Sequence, residues 1–226
     1  MELLDSYDHQ SLKKPDGTKC VYQLTYEESR EFIDKMSFDS DVFGVEKEPG
    51  KVAGILAAVY QDVFSQEVYP TLEEKIAMIN NTIPVCQALE IEDPKAAAVC
   101  AVEVLNPSMQ PTLDAASLAI MSQRGQFKGI TVDGPLALDN ALNEDAARHK
   151  GIKSPVAGHA DVLLMPNIEC GNIMWKTLVY MARCEIAGVL MGAAAPVVIT
   201  SRSDAPETKL NSIALALLIA GNKDKK

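Results

Sequence analysis

AAAVCAVEVLNPSMQPTLDAASLAIMSQRGQFKGITVDG, residues 96–134, decides the fold. It opens as an apolar run, breaks at Asn106-Pro107-Ser108, and resumes as TLDAASLAIMSQRG with apolar residues at helical spacing. GITVDG then returns to β-branched residues and stops at a glycine. Strand, polar loop, helix and strand in that order make a crossover unit, which places its two strands side by side and parallel.

The same alternation continues on both sides. VAGILAAV (52–59) precedes the helical TLEEKIAMINNTIPVCQALEI, whose Thr71 and Glu74 stand at capping-box spacing. After residue 134 come the helical PLALDNALNEDAARHKG, the strand ADVLLMP, the helical GNIMWKTLVYMARC, then IAGVLMG, the β-rich APVVIT and a last helix. The fold class is α/β, with a mostly parallel sheet covered on both faces. Residues 1–50 are polar and weakly patterned, with one helix expected over YEESREFIDKM. In such folds ligands bind beyond the carboxyl ends of strands, and the polar motifs of this chain fall at strand ends.

Bulk properties narrow the function. The 226 residues, 47% apolar, suffice for one sizeable domain or two small ones sharing a core. Thirty-one acidic against 21 basic residues, a formal charge of −10, disfavour nucleic acid as a partner and suit a cytoplasmic protein. LNSIALALLIAG is too short to cross a bilayer, and the first residues lack a signal peptide's basic start and apolar core, so no membrane partner is expected. Five cysteines at irregular spacing with no C-x-x-C pair fit a reducing compartment and give no zinc site. No GxGxxG or P-loop is present.

Four strand ends carry candidate chemistry. In TSRSDAPETKLN (200–211) hydroxyls and a guanidinium gather before a helix, with Asp204 as N-cap, Pro206 in the first turn and Glu207 as capping-box partner. Arg202 there suits an anion clamp, because its planar fork pairs bidentately with phosphate oxygens. Ser201 can donate to a developing oxyanion. Asp204 and Glu207 each serve as a cap or as a proton acceptor. In LLMPNIECGNIMWK (163–176) Asn167, Glu169, Gly171 and Asn172 are expected to precede a helix bearing Lys176, a place for phosphate or a carbonyl oxygen. A plain turn would use Gly and Asn equally well, and Cys170 reads as a bystander. Asp133-Gly134-Pro135 reads first as a tight turn with an N-cap, and alternatively puts Asp133 at a cleft mouth. Glu103, placed within the second strand, reads as either a paired core acid or a cleft acid. His149 and His159 read as solvated.

Three segments together (68–115, 121–172 and 195–216) closely resemble the phosphate acetyl/butyryltransferases, with the butyryl branch the nearer. The resemblance runs from about residue 55 to residue 223. It implies reversible transfer of a short acyl group, butyryl or acetyl, between CoA and inorganic phosphate by direct attack on the thioester. No cofactor or metal is implied, the CoA thioester being a substrate, and the usual assembly is a homodimer. The implied fold is two α/β/α subdomains of the isocitrate/isopropylmalate dehydrogenase type. Residues 41–188 would form the central subdomain, and 1–40 with 189–226 an outer one that is incomplete because the chain is shortened at its front. Ser201 and Arg202 match the pair that meets phosphate and the thioester carbonyl, and Asn211 matches an Asn of the following helix. The PNIECGN and VDGP turns match loops facing the cleft, which brings in Asn167, Gly171, Asn172 and Asp133. Thr208 stands where the acetyl branch carries the Asp that deprotonates the thiol, leaving Glu207 or Asp204 for that duty. The rival expectation is a non-catalytic homologue that binds CoA, acyl phosphate or a partner protein.

Overall fold

The computed structural model describes residues 55–57, 69–201 and 204–223, and the helix expected over YEESREFIDKM lies outside them. Four strands, β1 (Ile55–Ala57), β2 (Lys95–Val99), β3 (Thr131–Leu136) and β4 (Val162–Leu164), form one parallel sheet in the order β1-β4-β2-β3. Among the described residues six helices stand in chain order: α1 (Leu72–Ala88), α2 (Gln110–Gln123), α3 (Leu138–Leu142), α4 (Glu144–His149), α5 (Ile168–Tyr180) and α6 (Pro206–Lys223). The expected α/β class with a parallel sheet is what folds.

The strands sort their side chains with period two. Ala96, Ala98 and Cys100 join Val132, Val162 and Leu164 under α1 and α2, where Ile79 and Leu118 are fully buried. Ala97, Val99, Leu163 and Met165 face the other way, onto Ala141 of α3, Ala147 of α4 and the half-buried Cys170 and Met174 of α5. A third cluster joins the end of α1 (Val85, Ala88) to Ala214, Leu215, Leu218 and Ile219 of α6. Fully burying one such aliphatic side chain contributes about 1.5–3 kcal/mol.

Gly134 admits the close approach of α2. A Cβ there would come within 2.9 Å of the Ala98 carbonyl and 3.2 Å of the Ala115 Cβ. Asp133-Gly134-Pro135 is therefore not the expected turn. It lies inside β3, where Ala97 pairs with Asp133 and Val99 with Leu136, so one extra residue is accommodated between them. The extra residue turns Leu136 onto the second face, alongside Val99.

The outer edge of β3 is closed by side chains. The Val132 N–H donates to Ser122 Oγ of α2 at 2.8 Å, and the Gly134 N–H donates to Asp133 Oδ1 at 2.8 Å. Pro135 has no N–H to offer. Three further expectations are corrected. PLALDNALNEDAARHKG forms two short helices rather than one, because Asn143 caps α4 with its side chain on the Ala146 N–H. β2 ends at Val99, so Glu103 stands in the loop beyond its carboxyl end. APVVIT contributes a single antiparallel bridge, Val197 with Leu190, instead of a strand. Among the described residues no helix is long and apolar enough to cross a membrane.

Candidate active site

α6 begins at Pro206, and the Ala205 carbonyl accepts from the Lys209 N–H, so Ala205 holds the cap position expected of Asp204. Asp204 instead folds back. Its carboxylate accepts from the Ser201 N–H at 2.6 Å, while its own N–H donates to the Ser201 carbonyl at 3.2 Å. This reciprocal pairing ties Asp204 to Ser201, with Ser201 exposed and Asp204 half-buried. Arg202 lies outside the described residues. Glu207 is exposed in the first turn of α6, where a carboxylate complements the helix dipole.

Asn211, further along α6, is 2% exposed, and among the described residues its Nδ2 has no hydrogen-bond partner. A buried amide donor left unpaired costs roughly 1–3 kcal/mol and calls for an explanation. Next to it Ser212 is fully engaged. Its hydroxyl donates to the Thr208 carbonyl at 2.7 Å and accepts from the Gly188 N–H at 2.9 Å.

Asn167 caps α5, its Oδ1 accepting from the Cys170 N–H at 2.9 Å. The helix starts at Ile168, earlier than expected. Glu169, Gly171 and Asn172 are thus helical residues, with Gly171 buried and Asn172 exposed. Glu169 accepts from the Tyr69 hydroxyl at 3.0 Å, and that hydrogen bond with the carboxylate's charge pushes the phenol above its ordinary range. Lys176, deeper in α5, lies over the Tyr180 ring at 5.9 Å from its centroid and does not converge on Asn167. Asp133 lines a groove of about 460 Å³ with Asp93, Ser122, Thr131 and Pro155, alongside the sheet's edge. Among the described residues, Asn167, Lys176 and Asp133 share no hydrogen bond or ion pair with Asp204, Glu207 or Asn211. His149 and His159 are exposed, as expected.

Two further polar groups stand in the structure, and of their residues only Glu103 was singled out from the sequence. One lies beyond the carboxyl ends of β2 and β3. Lys150 Nζ stands 3.3 Å from Glu103 Oε2 and 3.3 Å from Asp139 Oδ2, and the fully buried Asn140 donates from Nδ2 to Glu103 Oε2 at 3.4 Å. Desolvation pulls the Lys150 ammonium down, but its hydrogen bonds to Glu103 and Asp139 prevail and hold it above the usual lysine range. The signal was available in part, since an acid after β2 and an Asp-Asn pair after β3 occupy neighbouring strand ends.

The other is a buried ion pair, Lys75 of α1 to Asp114 of α2 at 2.6 Å, with side chains 6% and 8% exposed. Gln110 Nε2 donates to the second Asp114 oxygen at 2.8 Å. Beside the pair, burial pushes the Cys100 thiol up to about 11. Cys170 is half-buried at the start of α5. Among the described residues no three His, Cys, Asp or Glu side chains gather as metal ligands would.

The family described as phosphate acetyl/butaryl transferase matches residues 36–217. The phosphate butyryltransferase of Clostridium acetobutylicum is 61% identical over 155 residues, which are 69% of this chain and 52% of that protein. The phosphate acetyltransferase of Thermotoga maritima is 51% identical over 153 residues, 68% of this chain and 52% of that protein. Among solved structures, a branched-chain phosphotransacylase from Enterococcus faecalis superposes with a TM-score of 0.63 at 34% identity, covering 69% of this chain and 56% of that one. The chain spans about half the length of the curated relatives it matches. With a parallel α/β sheet, a polar turn leading into α6 and a match that extends over most of its residues, the chain belongs to the phosphate acetyl/butaryl transferase family.

Proposed function

We propose that this chain carries a phosphate acyltransferase site of the butyryl type, moving a short acyl group between CoA and inorganic phosphate without a cofactor. The observation that carries this reading is that the family match, residues 36–217, includes every candidate residue from Asp133 to Asn211. Phosphate attacks the thioester carbonyl directly. Arg202 neutralises the dianion, which otherwise repels a chain of formal charge −10. Ser201 meets the oxygen on which charge develops, and charge-matched donors at that place lower the barrier more than they tighten ground-state binding. The unpaired Nδ2 of Asn211 supports a further donor reserved for substrate. Asn167, Gly171 and Asn172 at the start of α5 form the facing wall, with Asp133 and Lys176 on its flanks. The site lies between a central subdomain, 41–188, and an outer one made from 1–40 and 189–226, in a cytoplasmic homodimer.

The test is thiol release from butyryl-CoA and phosphate. Release that is abolished in Arg202→Ala and retained in Cys170→Ala supports the reading. Measurable CoA binding with no release from acetyl-, propionyl- or butyryl-CoA refutes it in favour of a binding protein.

A further inference from the structure

Two neighbouring strands release polar residues at the same end of the sheet, Glu103 after β2 and Asp139-Asn140 after β3. The Asn140 backbone is pinned, its N–H donating to Asp139 Oδ1 at 2.9 Å and its carbonyl accepting from the Gly158 N–H at 2.8 Å. Its side-chain amide is fully buried and differently served. Nδ2 donates to Glu103 Oε2 at 3.4 Å, while Oδ1 has no partner among the described residues.

A carboxamide presents a donor on one side and an acceptor on the other, and a half-turn exchanges them. While Glu103 is ionised it is acceptor-only, so the amide must keep Nδ2 toward it and leave Oδ1 unpaired. Once Glu103 holds a proton, the reversed amide gives that O–H an acceptor in the orphaned Oδ1. Asn140 therefore has a partner to offer each protonation state of Glu103. Among the described residues, Lys150 and Asp139 are the charged groups of this network. The Lys150 ammonium lies 3.3 Å from each carboxylate. All these bonds fall on Oε2, and the Glu103 side chain is 28% exposed, so Oε1 is the oxygen left to meet a substrate.

We propose that Glu103 is the proton acceptor for the thiol in this site, with Asn140 the amide that pairs with it in both protonation states. The proposal rests on the phosphate acyltransferase reading. In the direction from acyl phosphate to thioester, Glu103 takes the S–H proton and the sulfur electron pair forms the bond to the acyl carbon. The bond from that carbon to the phosphate oxygen breaks, its electrons leaving with phosphate. Glu103 then passes its proton to the departing oxyanion, which leaves as hydrogen phosphate, and the carboxylate is restored.

Two measurements test this. In the intact chain, the side-chain amide NMR signal of Asn140 is followed against pH in wild type and in Glu103→Gln. A single pH step in wild type that is absent from Glu103→Gln is expected, and a wild-type signal that stays flat while the fold persists overturns the pairing. With acetyl or butyryl phosphate and CoA as substrates, Glu103→Gln should lower kcat about 100-fold or more. KM should stay within about 3-fold, the acidic limb of the pH profile should vanish, and Glu103→Asp should restore part of the rate. A Glu103→Gln rate within about 3-fold of wild type overturns the proposal. Wild type without acyl transfer refutes the reading beneath it, and the amide titration still judges the pair.

Discussion

Asp114→Asn removes the counter-charge of a lysine that the fold has taken almost completely out of water. Lys75 keeps its ammonium 2.6 Å from the new amide, with its side chain 6% exposed and Cys100 close by. Breaking a buried pair from one side costs about 3–5 kcal/mol, because the remaining charge stays desolvated. Lys75→Met should cost somewhat less, since Gln110 still donates to Asp114 at 2.8 Å. Replacing both at once, Lys75→Met with Asp114→Leu, should fall within about 1 kcal/mol of wild type or exceed it. The contrast is Arg148 with Asp145, a pair 68% exposed on each side, where Asp145→Asn should cost at most about 1 kcal/mol. Urea unfolding followed by circular dichroism measures the cycle. With a slope of about 2 kcal/mol per M, a loss of about 4 kcal/mol moves the midpoint by roughly 2 M. An Asp114→Asn midpoint no lower than that of Asp145→Asn would refute the argument.

Other outcomes follow from single features. Burial holds the Cys86 thiol up at about 12 and Cys100 at about 11, from an ordinary 9.0, so between pH 9 and 11 the folded state binds more protons than the unfolded one. Their contribution is complete below pH 9 and declines above it, by up to about 2.7 kcal/mol per pH unit for the two together. Melting temperatures from pH 8 to 11 should therefore fall more steeply in wild type than in Cys86→Ala/Cys100→Ala, and parallel profiles would count against the thiols. Gly158→Ala puts a Cβ 2.6 Å from Glu144 Cα at φ +79 and should cost more than 2 kcal/mol, roughly. Gly125→Ala, at φ +68 with open space around it, should cost about 1 kcal/mol, and equal melting losses would contradict the clash. Asn167→Ala should destabilise by about 1 kcal/mol through the lost α5 cap, with Asn167→Asp retaining most of the stability in chemical unfolding.

Local order could be read along the chain because it is carried by spacing. The apolar run at Ala96 to Val99 and the capping box at Thr71 and Glu74 are formed by near neighbours, and both stand in the structure. Asp133-Gly134-Pro135 misleads because those residues favour turns, whereas their place inside β3 is set by register against β2 and by α2 packing on Gly134. At α5 the glycine drew the helix start too far along, although Asn167 supplies the cap. Lys75 has the look of a solvated helix position, and only the fold of α2 across it brings Asp114 to its side. The contact of Glu103 with Asn140 joins loops after two different strands, and no periodicity encodes it. Of the candidate residues, the polar stretch before α6 was legible as a helix start with its cap set one residue early at Asp204, the Asn167 cap was not, and the isolation of Asn211 Nδ2 among the described residues is a property of packing alone.

The side chains that occupy the outward amides of β3 give the sheet a preferred direction of growth. A foreign strand approaching that flank would have to strip Ser122 and Asp133 from the groups they hold, then pass a proline with no hydrogen to share. Ribbon-like stacking of copies through this border is thereby discouraged, so a chain with an otherwise inviting parallel sheet carries its own deterrent against polymerisation on that side.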